Sequence, residues 1–224
     1  MVGRSDDKQI VTVDVVLLTV RDDRLAVLLG RREAAPFKGD LALIGGYVHA
    51  DVDGNADATA ARVLREKAGL EGFFLEQLAT FSGPERDPRG WSASIAYLGL
   101  TPDVRVRDAL DTHPGLELVP VSEAAGLPFD HDRVLAAALE RLRGKGAYST
   151  LPARLIEEPF TLSELQRVYE IALDVPRIDK SSFRRKLNEL NLVEAASGRR
   201  MDTGGRQAQL YVLTPGALVF DRRI

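Results

Sequence analysis

The 224-residue chain changes character at the step Gly144-Lys145-Gly146, and that change bounds what it can fold into. Before the step, runs rich in β-branched residues alternate with two helical periods. After it come short helices and a basic, glycine-rich hairpin pattern. Two units fit this length at roughly 100–200 residues per domain. The glycines read as a hinge dividing residues 1–146 from residues 147–224.

Charge follows the same division. Residues 177–206 carry eight basic side chains (Arg177, Lys180, Arg184, Arg185, Lys186, Arg199, Arg200, Arg206) against four acidic ones, a local net charge of +4. The whole chain is at −3, so the remainder is at −7. A basic module on an acidic one suits an anionic partner at one end. A solvated charged surface is the plainer reading, and charge alone does not choose between them.

Composition excludes several chemistries. The chain has no cysteine, so disulfides, thiolate zinc sites, Fe–S clusters and cysteine nucleophiles are out. No run approaches the roughly 18 apolar residues of a membrane span. No apolar signal segment follows residues 1–8, and a soluble cytoplasmic protein is expected. No Gly-x-Ser-x-Gly, Walker loop or His-Glu-x-x-His occurs, and His49, His113 and His131 are dispersed. His131, between Asp130 and Asp132, reads as a helix start.

The first unit reads as mixed α/β. Strands are expected over residues 10–20, 25–29, 41–44, 73–82 and 92–100, the first two forming a hairpin around residues 21–24. Helices are expected over residues 56–68, closed by Gly69, and over residues 130–143. In the second unit, residues 152–158 form a short helix. Thr161, Glu164, Phe160 and Leu165 then supply a capping box and a hydrophobic staple for the next helix. A third helix runs from Asp179 to Leu190, with Phe183, Leu187 and Leu190 inward at 100° per residue. Residues 193–196 and 209–213 are strands flanking the loop 197–206. Three helices and a two-stranded basic wing describe a winged helix.

A helix that enters a major groove presents small or polar residues and cations outward. Lys180, Ser181, Ser182, Arg184, Arg185, Lys186 and Asn188 fill that role here. Arg199, Arg200 and Arg206 in the wing reach for the adjacent backbone or minor groove. The competing reading is an exposed three-helix domain used for protein contacts. This surface lacks the aromatic side chains that stack single strands, which favours duplex DNA.

Between Gly46 and Leu70 the chain resembles a Nudix box, G-x5-E-x7-R-E-U-x-E-E-x-G-U with U aliphatic. Arg62, Leu64, Glu66, Gly69 and Leu70 match. The first Glu does not: counting forward from Gly46 lands on Val52 and backward from Arg62 on Gly54, because the loop is two residues longer. The three glutamates of the helical run would lie on one face and hold Mg²⁺ against a diphosphate. Here those positions are Val63, Glu66 and Lys67, and their formal charge goes from −3 to 0. No catalytic residue and no metal ligand is therefore assigned, and Lys67 is a direct diphosphate contact in the alternative.

A Nudix-like domain followed by a winged helix resembles the Nudix-related transcriptional regulators of NAD metabolism. The similarity covers nearly all residues after the first eight. It is carried by Pro36-Phe37-Lys38-Gly39, Gly45-Gly46-Tyr47-Val48, Arg86-Asp87-Pro88-Arg89-Gly90, Phe129-Asp130-His131-Asp132 and residues 179–186, in that order. The resemblance implies an α/β fold: an N-terminal α/β/α Nudix-like domain and a C-terminal winged helix-turn-helix. It implies a homodimeric repressor of NAD biosynthesis or salvage genes; a twofold dimer would place two Asp179–Leu190 helices in successive major grooves and so read a near-palindromic operator. ADP-ribose or a related NAD-derived nucleotide is the implied effector, with no required cofactor; an ADP-ribose pyrophosphatase that also binds DNA is the alternative.

The expected ligand contacts are Arg31, Arg32, Phe37, Lys38, Gly45, Gly46, Arg62, Glu66, Lys67, Arg86 and Arg89. Arg86 or Arg89 would pair with a diphosphate bidentately, or sit in a turn of exposed charges. Phe37 stacks on a base or fills core. Arg31 and Arg32 are phosphate contacts or surface charges.

Overall fold

The computed structural model describes residues 9–201 and 207–216. The expected contact Arg206 and the tip of the wing loop lie outside the described residues.

Valine and leucine alternate between two buried faces along β1 (Ile10–Arg21). Asp22 and Asp23, both at positive φ, turn the chain into the antiparallel β2 (Arg24–Arg31), a conformation that short polar side chains tolerate. β3 (Leu41–Tyr47) pairs with both. β4 (Phe74–Gly83) and β5 (Ser92–Leu100) extend the sheet past β1, β5 running parallel to it. β6 (Leu116–Pro120) closes the other edge, giving the order β4-β5-β1-β3-β2-β6.

The two faces of β1 define two cores. Val13, Val15 and Leu17 pack with α1 (Ala56–Ala68) and α2 (Asp103–Thr112). Val16 and Leu18 pack with α3 (His131–Gly146) on the other side. The result is the expected α/β/α sandwich. α2 and β6 are not among the elements expected from the sequence.

The expected hinge is corrected. α3 continues through Gly144 and Lys145 to Gly146. A Cβ on Gly146 would stand 2.9 Å from Pro152 Cγ and 3.0 Å from Leu173 Cδ2. The glycine is there for close packing between helices, not for bending. Leu142 of α3 shares one core with Val168 and Ala172 of α4 (Leu162–Leu173), so the packing is continuous past residue 146. The short helix expected after it is a single 3₁₀ turn, Leu151–Leu155.

In α4, Thr161 and Glu164 form the capping box, and Phe160 and Leu165 are fully buried beside it. α5 (Lys180–Glu189) is capped by Asp179, whose carboxylate accepts from the Ser182 N–H at 2.8 Å. Phe183 and Leu187 face inward, whereas Leu190, expected with them, is an exposed C-cap residue. β7 (Phe160–Thr161), β9 (Gln207–Leu213) and β8 (Val193–Met201) make the second sheet. β8 therefore runs through much of what sequence analysis reads as loop. Among the described residues, no helix is long and apolar enough to cross a membrane.

Candidate functional site

A cavity of about 780 Å³ opens where the ends of β1 and β3, the last turn of α1 and the start of α3 meet. Its floor explains the two glycines of β3. A Cβ on Gly45 would lie 2.1 Å from Asp14 Oδ1 and 2.5 Å from the Val13 carbonyl oxygen. A Cβ on Gly46 would lie 2.8 Å from Val63 Cγ1. Only glycine lets β3 pass this close to β1 and α1.

Behind Gly45 lies a buried polar cluster. Asp14 accepts from Ser94 Oγ at 2.6 Å and from Arg86 Nη2 at 3.4 Å, and His131 Nε2 stands 3.6 Å away. His131 Nδ1 accepts from the Leu43 N–H at 3.1 Å, which leaves Nε2 to carry the ring proton toward Asp14. Burial pushes the Asp14 carboxyl up. The His131 ring, Ser94 and Arg86 more than offset this and hold it at about 2. Arg86 also donates to Asp130 at 2.9 Å and to Ser92 at 3.2 Å. Asp14 and Ser94 are absent from the expected contacts. A lone carboxylate in the middle of a strand dominated by valine and leucine is the signal that marks Asp14.

The rim is aromatic and cationic. Phe37 meets Phe129 edge-on, with centroids 4.9 Å apart. The Arg32 guanidinium lies 4.7 Å from the Phe129 ring centre, and Arg89 lies 5.4 Å from that of Tyr47. Such contacts hold a guanidinium flat against an apolar face. Arg89 is tied to the buried Asp87 by two bonds of 2.9 and 2.6 Å.

Of the expected ligand contacts, Arg31, Arg32, Gly45, Gly46, Glu66, Lys67, Arg86 and Arg89 line this cavity. Phe37 touches it only through Phe129, and Lys38 is an exposed loop residue that does not line it. Arg62 is corrected. Its Nε and Nη2 hold Asp53 at 2.8 and 2.7 Å, its Nη2 also reaches the Tyr47 carbonyl at 2.9 Å, and its Nη1 reaches Glu66 at 3.1 Å. This guanidinium is buried and spent on the protein itself. Asp53 sits between the two positions to which the box count leads, Val52 and Gly54. A carboxylate in this loop is thus present one place from either count and is held by Arg62.

The residues at the box positions do not suit a divalent cation. Val63 is buried in the α1-side core, Glu66 is engaged by Arg62, and the Lys67 ammonium donates to the Gly45 carbonyl. Hard cations need several oxygen ligands. Among the described residues, no three of the acidic or histidine side chains converge as such a site requires.

The outward side of α5 exposes Lys180, Ser181, Ser182, Arg185 and Asn188, while Arg184 and Lys186 are half-buried. Arg185 stands 3.7 Å from Glu189. Arg199 is exposed on β8. Arg200 is folded back: its Nη1 reaches both Glu164 oxygens at 3.1 and 3.2 Å, and its Nη2 the Pro159 carbonyl at 3.0 Å.

Comparison with known proteins decides the family. The NUDIX domain model matches residues 8–142, and the model of the NrtR DNA-binding winged helix domain matches residues 152–213. The ADPR responsive transcriptional repressor NtrR of Acinetobacter baylyi is 37% identical over 204 residues, covering 90% of this chain and 81% of that protein. The chain belongs to the NrtR family. The crystal structure of Shewanella oneidensis NrtR complexed with a 27mer DNA matches with a TM-score of 0.89 at 35% identity, covering 96% of this chain and all of that one. The NUDIX domain of the same NrtR, crystallised with ADP ribose, matches with a TM-score of 0.52 at 30% identity, covering 62% of this chain and 94% of that domain. The NrtR winged helix model thus spans α4, α5 and the wing, and the NUDIX model spans the cavity.

Proposed function

We propose that this NrtR-family chain is a transcriptional repressor of NAD biosynthesis or salvage genes whose cavity senses ADP-ribose or a related NAD-derived nucleotide. Residues 1–146 sense and residues 147–224 bind DNA; the extents of the two family models support that division. Duplex DNA meets α5 and the wing, through Lys180, Ser181, Ser182, Arg184, Arg185, Lys186, Asn188, Arg199, Arg200 and Arg206. The protein acts as a homodimer in the cytoplasm, on half-sites about 34 Å or a multiple apart. One observation carries the reading: the same chain pairs a cation-rimmed cavity with an exposed polar helix face, and it matches a DNA-bound NrtR along nearly its whole length.

The nucleotide is bound without hydrolysis. Val63 and Lys67 stand where a hydrolase of this fold would hold carboxylates, which supports that reading. Ligand releases DNA only if it prefers the DNA-free arrangement, because equal affinity for both shifts nothing. The test is a titration of the upstream duplex with and without ADP-ribose and NAD. Unchanged DNA affinity at saturating nucleotide overturns the sensing role. Turnover of ADP-ribose with Mg²⁺ or Mn²⁺, abolished by Glu66→Gln, overturns the non-catalytic one.

A further inference from the structure

We infer that Lys67, with Arg32, takes the place of the divalent cation in this cavity, so that a nucleoside diphosphate binds here independently of metal. The inference rests on the proposed nucleotide-sensing role and specifies how the site holds its anion. Five cations line the cavity: Arg31, Arg32, Lys67, Arg86 and Arg89. Three are neutralised in place. Arg31 pairs with Glu117, Arg86 with Asp14 and Asp130, and Arg89 with Asp87. Arg32 and Lys67 are different. Arg32 bonds to the carbonyls of Pro36 and Ala34, and Lys67 to that of Gly45. Among the described residues neither has a carboxylate within ion-pair distance. Both are held down from their ordinary pKa by desolvation, and a further cation adds to it: Arg89 acts on Arg32, and Arg32 on Lys67. Two adjacent cations at the open face of a cavity, bonded to carbonyls and to no carboxylate, favour an anion between them.

The surroundings agree. The lining sets five cations against four carboxylates, Asp14, Glu33, Glu66 and Asp87, and Glu66 is engaged by Arg62, so the patch is net cationic by one charge without any added ion. A box of three carboxylates has the opposite sign and needs a metal before a diphosphate can approach. An ammonium on a short helical reach is a compact point charge suited to phosphate oxygens, and the planar guanidinium beside it offers a two-oxygen fork.

Calorimetric titration of the full-length protein with ADP-ribose tests this, once in excess EDTA and once in Mg²⁺. Equal affinity in the two is expected. Lys67→Met is expected to weaken binding about tenfold or more in EDTA, with Lys67→Arg restoring most of it. Binding that appears only with Mg²⁺ overturns the inference and leaves the sensing role standing. Wild-type affinity in Lys67→Met overturns it likewise. No binding of ADP-ribose under either condition overturns both. The wild-type comparison needs no variant, so a misfolded substitution leaves the inference open to refutation.

Discussion

Arg62 and Asp53 grip each other at two points across the loop that leads into α1, Nε to Oδ1 at 2.8 Å and Nη2 to Oδ2 at 2.7 Å. Asp53 also accepts from the His49 N–H and from Thr59 Oγ1, both at 2.9 Å, so one carboxylate ties loop to helix. Removing one partner of such a pair strands the other. Arg62→Ala and Asp53→Asn should each lower the urea midpoint. The double variant should lose little more than the worse single one. Additive losses in a urea double-mutant cycle would refute the coupling.

Asp14 gives the protein an acid-side weakness. Its carboxyl is held at about 2 against an ordinary 3.8. A group whose folded-state pKa is depressed adds stability that is complete above its unfolded pKa and drains away as pH falls through the folded one. The window is therefore pH 4 down to about 2. A shift of this size corresponds to about 2 kcal/mol. Urea midpoints measured from pH 5 to pH 2.5 should fall less steeply in Asp14→Asn, which is also less stable at neutral pH because Arg86 loses a charged partner. A slope identical to wild type would rule the assignment out.

Gly46→Ala should destabilise by about 1–3 kcal/mol, the usual range for overpacking. Its new methyl would press on Val63. Gly45→Ala should cost more, because its neighbours include backbone, the Val13 carbonyl. Thermal melts order the two; a larger loss in Gly46→Ala would contradict the packing at the cavity floor.

Arg185 of α5 and Arg200 of β8 should behave differently. Arg185 is exposed, and its nearest acid is 3.7 Å away. If it touches only phosphate, Arg185→Ala should weaken operator and random duplex alike and reduce the salt slope by about one unit. Arg200 must first leave Glu164, whose carboxyl burial raises while the Thr161 N–H and Arg200 bring it below the ordinary range. Arg200→Ala should therefore cost less DNA affinity than Arg185→Ala. Affinities across a salt series decide it, and an equal loss would show that the Glu164 contact exerts no competition.

Returning a carboxylate to the box should not be free of cost. Val63 is fully buried beneath Gly46. Val63→Glu should lose about 2 kcal/mol or more in urea, since a buried unpaired charge is expensive. A variant as stable as wild type would mean that α1 can turn this position to solvent.

Where chemistry is local, the sequence was readable. Gly69 closing α1, the Thr161–Glu164 capping box and Asp179 before α5 each bond within a few residues, and each stands where its spacing put it. The errors are tertiary. Gly146 resembles a hinge residue until Pro152 and Leu173 are brought against it from later in the chain. α2 carries only Val106 and Ala109 to its buried face, too thin a stripe to stand out as periodic. At the site, the glycines and arginines were visible as types. Which arginines are free was not, because Asp130 and Glu117 claim Arg86 and Arg31 from far along the chain, while the local pairs of Arg62 with Asp53 and Arg89 with Asp87 depend on loop conformations that spacing does not fix. Asp14 and Phe129 enter the cavity only once β1 and α3 lie side by side.

The unbroken run of α3 gives the molecule a pushrod. Sixteen residues at 1.5 Å each make a rigid member about 24 Å long. Its first residue, His131, borders the cavity and leans on Asp14, and near its other end Leu142 is set in the same packing as Val168 and Ala172 of α4. A swivel at residues 144–146 would have let each half move unnoticed by the other. A continuous helix with both ends embedded leaves no such swivel between the cavity and α4.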